Sequence, residues 1–355
     1  MNINESKFPI TVRDRIILAG AGFSASVGGF LAIEMWEKLL LSGEVYKYPE
    51  LKQIIKDPKH KFDYERIFHH ILNSPDLDQH AKTAAQNAID EAYREHNRHV
   101  QDQSVIGKIN YKWLRSFLKC FRSTEDEAGL LFTTNQDLFF ENLTRALDRH
   151  NGLDTYIPCN MRSPDRQSTG CFLSAVGLPD YGYSNNKPTL PKADDLPQAL
   201  QKSWEKKEAL HMVKLHGSWG WKEADAQQQM IVGMNKKDLI EKVPLLKYYL
   251  KLFENTMSNF KGKLLVIGYS FSDPHINQAI VSGVENGMEL HVIDRLRPKD
   301  FYEALKDSWP AIWSGLSGYY PYDLQNLFPV GESEFSAKDK IMSLHRHFEF
   351  SCNNF

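Results

Sequence analysis

The sequence predicts an α/β fold, a Rossmann-like parallel sheet with helices on both faces and a helical insertion subdomain. Five short apolar runs end in glycine, small polar or acidic residues, which is typical of buried parallel strands whose carboxyl ends surround a ligand. The runs are RIILAG, GLLFTTN, HMVKLHG, KLLVIGYS and ELHVID. Helix-type segments alternate with these runs, as the crossover connections between parallel strands require.

The composition excludes several classes of protein. The chain has 355 residues, 42% hydrophobic and 25% charged, which is ordinary for a globular protein and excludes disordered, collagenous and coiled-coil chains. The net charge of -2 gives no strong field that would attract nucleic acid or an anionic membrane. No apolar run approaches the roughly 20 residues of a membrane-spanning helix, and the N-terminus lacks the pattern of a secretory signal. We therefore expect a cytoplasmic protein with no direct nucleic-acid or membrane partner.

The chain divides into one main domain, two insertions and an extension. The main domain is expected to span residues 1–300, and the helix-type stretch 41–125, which carries an alanine stripe, is predicted as the helical insertion. Residues 156–200 are rich in Pro, Gly, Asn, Ser and Asp, and a loop-rich insertion with a short strand at 171–176 is predicted over 151–210. This insertion could be a flap over a site or a surface loop without a role. Residues 301–355 are predicted as a C-terminal helical extension, because a capping pattern at Ser336 precedes apolar residues at helical spacing.

The first strand runs into a glycine-bearing turn, Gly20-Ala21-Gly22, followed by a predicted helix over 30–40. Glycines allow a phosphate to approach the backbone, and a helix N-terminus offers free N–H groups, so a pyrophosphate is the natural ligand. The glycines could equally serve the turn conformation alone. The third glycine of G-x-G-x-x-G and the acidic residue expected about 20 residues later are both missing, which argues against a hydride-transfer enzyme.

The next two strands also end in polar side chains. Thr134, Asn135 and Asp137 follow the second strand and precede a predicted helix over 138–147. Asp137 could be only the N-cap of this helix and Asn135 only a turn residue. His216 follows the third strand beside Gly217, a place where general bases occur in α/β enzymes, although lone histidines are more often structural.

The fourth strand ends in a second glycine-bearing turn, with Gly268 and Ser270. Asp273 as N-cap and Pro274 as first helical residue predict a helix that ends near Gly287.

The four strand-end motifs together resemble the sirtuin family. The segments GAGFS, TTNQD, KLHGS and GYSFSDPHI stand in the family's order, and the resemblance covers roughly residues 10–300. The likeness is specifically to the divergent sirtuin-like domains of bacterial antiphage defence, as in complexes of a sirtuin-like protein with HerA. FDYERI, at 62–67, also resembles a motif in the helical insertion of those domains.

The resemblance implies a site that cleaves NAD as its substrate. It implies that His216 is the base, and that Asn135 and Asp137 contact the nicotinamide ribose and orient water. The residues implied to bind NAD are Gly20, Ala21, Gly22, Ser24, Thr134, Gly268, Ser270 and Asp294. For Asp294, at the end of the fifth strand, the role in binding a ribose competes with that of an ordinary turn aspartate.

The sequence departs from the deacetylating sirtuins in two places. After the first motif it lacks the proline, acid and arginine of their nicotinamide-binding loop, and it has no four-cysteine zinc module. Its four cysteines lie far apart without a C-x-x-C pair, so we expect free thiols and neither zinc nor another metal: Cys120, Cys159, Cys171 and Cys352. Both departures favour hydrolysis of NAD to nicotinamide and ADP-ribose over protein deacylation.

The expected function is therefore an NAD glycohydrolase, the NAD-depleting effector of an antiphage defence complex. The alternatives are a protein deacylase or ADP-ribosyltransferase of the sirtuin family and a non-catalytic subunit that binds NAD or ADP-ribose. The resemblance implies a homo-oligomer with a defence partner, such as a HerA-type hexameric ATPase or a short Argonaute.

Overall fold

The computed structural model describes most of the chain. The described residues are 11–100, 109–143, 146–150, 153–157, 173–178, 189–222, 228–330, 344 and 346–348. The described residues of the predicted helix after Ser336 are 344 and 346–348, and they are helical, whereas three of the four cysteines lie outside the described residues. None of the helices in these ranges is long and apolar enough to cross a membrane.

A parallel sheet of eight strands forms the centre of the molecule, and a hairpin and a short strand pair lie apart from it. The strands are β1 Thr11–Val12, β2 Arg15–Ala19, β3 Glu127–Thr133, β4 Ala146–His150, β5 Leu153–Ile157, β6 Leu173–Ala175, β7 Leu210–Lys214, β8 Gly217–Lys222, β9 Gln228–Met230, β10 Lys263–Ile267, β11 Glu289–Ile293 and β12 Leu316–Tyr320. The sheet order is β12-β11-β10-β2-β3-β7-β6, with β1 beside β3, and every pair in it is parallel. β4 and β5 form an antiparallel hairpin, and β8 pairs antiparallel with β9.

The five predicted strands are the five central neighbours of this sheet, and the predicted fold class is confirmed. Their side chains are buried almost throughout because both faces of a parallel sheet are covered. The chain leaves β2 for β3 on one side, whereas β10 and β11 lie on the other. The order of the strands therefore reverses between β2 and β10, which is where ligands bind in open α/β sheets.

Fifteen α-helices are present in the described ranges. They are α1 Ala21–Ala25, α2 Ala32–Leu41, α3 Gly43–Tyr46, α4 Pro49–Lys56, α5 Tyr64–Asn73, α6 Gln79–His99, α7 Tyr111–Lys119, α8 Phe139–Leu143, α9 Leu196–Trp204, α10 Lys236–Ile240, α11 Pro244–Asn259, α12 Pro274–Glu285, α13 Pro298–Leu305, α14 Pro310–Ser314 and α15 Leu324–Leu327. The predicted helices over 30–40 and from Pro274 correspond to α2 and α12.

The helical insertion between β2 and β3 has a hydrophobic core of its own. This core runs from Phe30 to Tyr93 and contains the alanine stripe of α6, which is buried against α2, α3 and α5. α2 belongs to this core, so the insertion begins before residue 41. α7 instead contributes Leu114 and Phe117 to the main core around the sheet. The helical insertion is therefore a compact helical unit placed over one end of the sheet.

Two regions differ from the sequence-based expectation. The segment after residue 300 is not only helical, because Leu316–Tyr320 forms β12, the edge strand beside β11. The helix expected over 138–147 ends at Leu143 as α8, and the chain then enters the β4–β5 hairpin. The short strand expected within the loop-rich insertion is present as β6.

Cys120 corrects one prediction. This residue is disulfide-bonded, so the expectation of free thiols is wrong for it. The wide spacing of the cysteines along the chain argues against a C-x-x-C site, but it does not predict which cysteines are close together in the fold.

Candidate active site

The loops that follow β2 and β10 lie against each other where the strand order reverses. The Gly20 amide donates to the Ile267 carbonyl at 3.0 Å, and the Gly22 amide donates to the Gly268 carbonyl at 2.8 Å. A Cβ at Gly22 would lie 2.8 Å from the Gly268 Cα, and Gly268 has a φ of 61°. The glycines are needed for this close approach of two backbones.

The predicted role of the glycine turn in binding a pyrophosphate stays a prediction. The amides of Gly20 and Gly22 donate to the Ile267 and Gly268 carbonyls, and Ala21 between them lines the cavity described below. Neither these glycines nor Gly268 lines the cavity described below. The close approach of the two backbones also fits the alternative, in which the glycines serve the turn conformation.

A cavity of about 770 Å³ opens at the carboxyl ends of β3, β7 and β10, and the helical insertion covers it. Its volume lies in the range of small-molecule sites. Six of the residues predicted for the site line it: Ala21, Thr134, Asn135, Asp137, His216 and Ser270. The first motif, the strand ends and the helical insertion thus meet at one place, although they are far apart in sequence.

Asn135 is held by Ser24. Its side-chain Nδ2 donates to the Ser24 Oγ at 2.9 Å, and its backbone amide donates to the Thr133 Oγ1 at 3.0 Å. Asn135 is only 6% exposed, and Ser24 is fully buried behind it. Ser24 is therefore placed to orient the amide group of Asn135 and does not itself line the cavity.

Asp137 carries a structural role in this protein. Its Oδ1 accepts the backbone amide of Phe139, the first residue of α8, at 2.8 Å. Its Oδ2 lies 3.4 Å from the Nε2 of His96 on α6. Burial acts to raise the pKa of Asp137, but His96, Lys214 and Ser24 together lower it to about 2. The carboxylate joins the start of α8 to the helical insertion. Its bond to the Phe139 amide fits the N-cap role that the sequence leaves open as an alternative.

His216 lies buried on the cavity wall beside a second histidine. Its Nε2 is 3.3 Å from the Nε2 of His275 and 4.0 Å from the Oδ1 of Asp273. Burial, the Lys236 cation and His275 lower the pKa of His216 to about 3, against the opposing effect of Asp273. Burial also lowers the pKa of His275 to about 4. Both imidazoles are therefore neutral near pH 7, and a neutral imidazole can accept a proton.

A buried ion network joins the helical insertion to the strand ends. Lys236 Nζ lies 2.7 Å from the Glu65 Oε2 and 2.9 Å from the Asp273 Oδ1. The two carboxylates raise the pKa of Lys236, and although burial acts to raise the pKa of Asp273, its cationic surroundings lower it to about 2. Asp273 stands at the start of α12 as predicted, but its side chain makes no capping bond and binds Lys236 instead.

Sequence reasoning assigned no role to several residues of the site. His275 lies within GYSFSDPHI and Glu65 within FDYERI, so motif position was the signal that could have identified them. Lys236, the first residue of α10, follows no strand-end motif and had no such signal. Gln136 accepts a hydrogen bond from the Tyr93 hydroxyl and donates to the Ile231 carbonyl, which fixes the loop after β3 against the helical insertion.

Asp294 lies away from this cavity. Its Oδ1 accepts the Leu296 amide at 2.8 Å, and its own amide donates to the Tyr320 carbonyl. This is the geometry of the turn aspartate considered above. Its predicted contact with a ribose remains a prediction.

The metal prediction also remains open to test. In the part of the chain that the structure describes, no group of three or more His, Cys, Asp or Glu side chains is arranged to hold a metal ion.

One family model matches a continuous part of the chain that includes most of the cavity wall. The family model described as "SIR2-like domain" matches residues 129–296, which include β3, β7, β10, β11 and the residues Asn135, His216 and Asp273. The GAGFS segment and the helical insertion precede the matched residues.

Solved sirtuin structures are similar to the chain over most of its length. One is titled "Sir2-p53 peptide-NAD+" and shares 11% identity, covering 94% of this chain and 93% of that chain with a TM-score of 0.38. Another, titled "The Structural basis of Sirtuin Substrate Affinity", shares 13% identity over 93% of each chain with a TM-score of 0.38. A third, "Structural Basis for the Mechanism and Regulation of Sir2 Enzymes", shares 9% identity over 94% and 93% with a TM-score of 0.36. No curated protein matches the sequence of the chain.

Proposed function

We propose that this protein is an NAD glycohydrolase that produces nicotinamide and ADP-ribose. The observation that carries the proposal is a neutral, buried His216 on the same cavity wall as the oriented amide of Asn135, within a SIR2-like domain. A SIR2-like domain supports use of NAD, and these two side chains support its cleavage with water.

The cavity has features that suit NAD. Its volume of about 770 Å³ is ample for a dinucleotide, and its wall combines apolar side chains such as Phe30 and Met35 with polar groups. One cation on that wall, Arg66, has a buried Nε without a hydrogen-bond partner in the described chain. An apolar surface with an unsatisfied cation fits a ligand that carries both aromatic rings and phosphates.

The chemistry needs a positioned sugar and one activated water. The bond between the ribose C1′ and the nicotinamide nitrogen breaks, and nicotinamide leaves with the bonding electrons. The water oxygen then bonds to C1′, and the proton that the water loses passes to a base. The neutral imidazole of His216 is placed to accept this proton. Asn135, whose amide is oriented by Ser24, would hold the ribose hydroxyls or the water in position for the reaction.

The alternatives use the same cavity. A deacylase would need an acyl-lysine peptide as nucleophile instead of water, and the sequence lacks the nicotinamide-binding loop of the deacetylating sirtuins. A non-catalytic subunit would bind NAD or ADP-ribose without turnover. The joint presence of Asn135 and His216 favours an enzyme over a subunit that only binds NAD.

Direct assay of the purified protein tests the proposal. We expect NAD to be converted to equal amounts of nicotinamide and ADP-ribose, and we expect Asn135→Ala and His216→Ala each to lower the rate by well over about tenfold. Asn286→Ala, in a turn after α12, is the matched control for an amide outside the site and should leave the rate unchanged. An acetylated peptide added to the assay separates deacylation from hydrolysis. Near-normal nicotinamide release by both variants, with unchanged circular dichroism, would refute the proposed mechanism.

The biological role that we propose is depletion of NAD in antiphage defence. A hydrolase that consumed cellular NAD without control would harm its own host, so its activity needs restraint. We propose that restraint and triggering come from self-assembly and from a partner such as a HerA-type hexameric ATPase or a short Argonaute. The resemblance of the sequence motifs to defence sirtuins supports this role.

A further inference from the structure

His275, the second residue of α12, contacts the proposed base directly. Its Nε2 lies 3.3 Å from the Nε2 of His216, and the two rings are inclined at 51° with their centroids 5.5 Å apart. Both side chains line the cavity, but His216 is only 2% exposed, whereas His275 is partly exposed. His275 is therefore the more accessible of the two imidazoles.

The contact between two Nε2 atoms determines which ring nitrogen remains free. Both rings are neutral near pH 7, and a neutral imidazole has one N–H donor and one acceptor nitrogen. In a hydrogen bond between the Nε2 atoms, one ring is therefore the donor and the other is the acceptor. The donor ring keeps a bare Nδ1, and this Nδ1 is the nitrogen of the pair that can bind a further proton.

The surroundings of His216 indicate that His275 is the donor. The backbone of Thr134 favours a proton on the ring of His216. Since the Thr134 amide already donates to the Ala19 carbonyl, the Thr134 carbonyl is the group left to accept that proton. The Nε2 of His216 faces His275, so this proton is on the Nδ1 of His216. The bare Nδ1 then belongs to His275, the ring that water in the cavity can reach.

Three charged groups act on the histidine pair. The Asp273 Oδ1 lies 4.0 Å from the His216 Nε2, and this carboxylate favours a positive charge on either ring. Lys236 disfavours a positive charge on both rings, and Lys237 disfavours it on His275. The carboxylate beside the pair thus stabilises the charge that the pair gains with a proton.

We propose that His275 is a second catalytic histidine, which takes the proton from the attacking water and shares its own Nε2 proton with His216. This inference rests on the proposed function, because it takes water as the nucleophile and NAD as the substrate. An O–H bond of the water breaks, the water oxygen bonds to the ribose C1′, and the proton binds to the Nδ1 of His275. Nicotinamide leaves as a neutral molecule, so the positive charge of its ring ends on the histidine pair.

Variants of His275 separate proton transfer from positioning of His216. Glutamine can donate an amide N–H to the His216 Nε2 but cannot take up a proton, so we expect His275→Gln to lower kcat for NAD cleavage by about tenfold or more. His275→Phe, which does neither, should lower kcat at least as much. The KM for NAD should change less in both variants, because the lost interaction forms in the transition state. His80→Phe, at an exposed histidine of α6, is the matched control and should leave kcat unchanged.

Added imidazole gives a measurement that a merely structural role would not move. Imidazole should raise the kcat of His275→Ala in proportion to its concentration, and more strongly as the pH rises and imidazole loses its proton. The double variant of His216→Ala with His275→Gln should be no slower than His216→Ala alone, because residues that act as a unit are not additive. Circular dichroism and thermal unfolding of each variant show whether the fold is intact.

Nitrogen NMR of the histidine rings tests the tautomers without relying on turnover. We expect the free protein to carry a proton on the Nδ1 of His216 and on the Nε2 of His275. A proton on the Nδ1 of His275 in the free protein would overturn the proposal.

The kinetic outcomes separate this proposal from the proposed function. Near-normal kcat in His275→Gln, in a wild type that cleaves NAD, would overturn proton transfer through His275 and leave the hydrolase standing. The same holds if imidazole does not raise the kcat of His275→Ala. A wild type that does not cleave NAD would refute the hydrolase and the proton transfer together.

Discussion

At the scale of single residues, the site combines groups that the sequence motifs identify with groups that only the fold brings together. Asn135 and His216 follow strands, and their places at the carboxyl end of the sheet could be predicted from the apolar runs before them. Lys236 could not be predicted, because its partners Glu65 and Asp273 are distant in sequence and meet it only when the helical insertion closes over the sheet. The role of Asp137 was open in the sequence, since a capping aspartate and a catalytic one follow a strand in the same way.

The state of His216 predicts the pH dependence of the reaction. Because burial and Lys236 hold its pKa at about 3, the base form persists until the pH falls far below the usual range of histidine. We expect kcat/KM for NAD to be flat from about pH 8 to about pH 5 and to fall only below that, whereas an exposed histidine with a pKa of about 6.5 would give a fall near neutrality.

Lys236→Met tests the cause of this shift. Removing the cation leaves the Asp273 carboxylate near His216, so the pKa of His216 should rise and the acid limb of the profile should move upward. An acid limb near pH 6.5 in the wild type, or one that Lys236→Met moves downward, would contradict this assignment. Circular dichroism at each pH separates loss of activity from loss of structure.

At the scale of elements, a buried ion pair fastens α8 to β7 and β8. Lys214 is fully buried at the end of β7, and its Nζ lies 2.7 Å from the Glu141 Oε1 and 3.2 Å from the Ser218 Oγ. It also donates to the Asp137 carbonyl. One cation thus holds together the polar loop after β3, the short helix that follows it and the strand after His216.

We expect Lys214→Met to destabilise the protein by about 3–5 kcal/mol, because the Glu141 charge would remain buried without its partner. Urea unfolding should show a lower midpoint, and the double variant Lys214→Met with Glu141→Met should recover much of the loss. The matched control is Lys247→Met, which breaks a surface pair with Glu241 at 2.7 Å whose side chains are both 40% exposed. That change should cost no more than about 1 kcal/mol. Similar losses of stability in Lys214→Met and Lys247→Met would show that burial of the Lys214–Glu141 pair adds nothing to the free energy of unfolding.

The strands could be predicted from the sequence better than the connections between them. The five central strands are continuous apolar runs because both of their faces are covered, and this pattern is visible without a structure. β12, with the sequence LSGYY, lies at the edge of the sheet and is only partly buried, so it lacks a continuous apolar run. The sequence therefore predicts a helical extension there and not a strand. The glycines of the first turn follow a strand as predicted, but the sequence does not show that they pack against the Gly268 backbone.

At the scale of the whole molecule, the proposed activity requires control in the cell. We expect the purified chain to form a homo-oligomer, and we expect its NAD cleavage to change markedly when the partner is added. Light scattering gives the oligomeric state, and nicotinamide release with and without the partner gives the regulation. His216→Ala is the matched control in cells, because it should abolish any toxicity of the expressed chain. A monomer with full constitutive activity that is harmless on expression would contradict the proposed regulation.

The separate core of the helical insertion has a consequence for how the molecule opens. Its helices bury their apolar faces mainly against one another, and its links to the sheet include the Trp219–Asp90 bond of 3.0 Å, the Leu138–Asn97 bond of 2.8 Å and the Lys236 ion network. Two cores joined by polar links are expected to behave as two cooperative units with different free energies of opening. Amide hydrogens of α3 and α4 should then exchange with solvent when only the helical insertion opens. Those of β2 and β10 should exchange only when the whole chain unfolds. A ligand held between the two units would slow exchange in both.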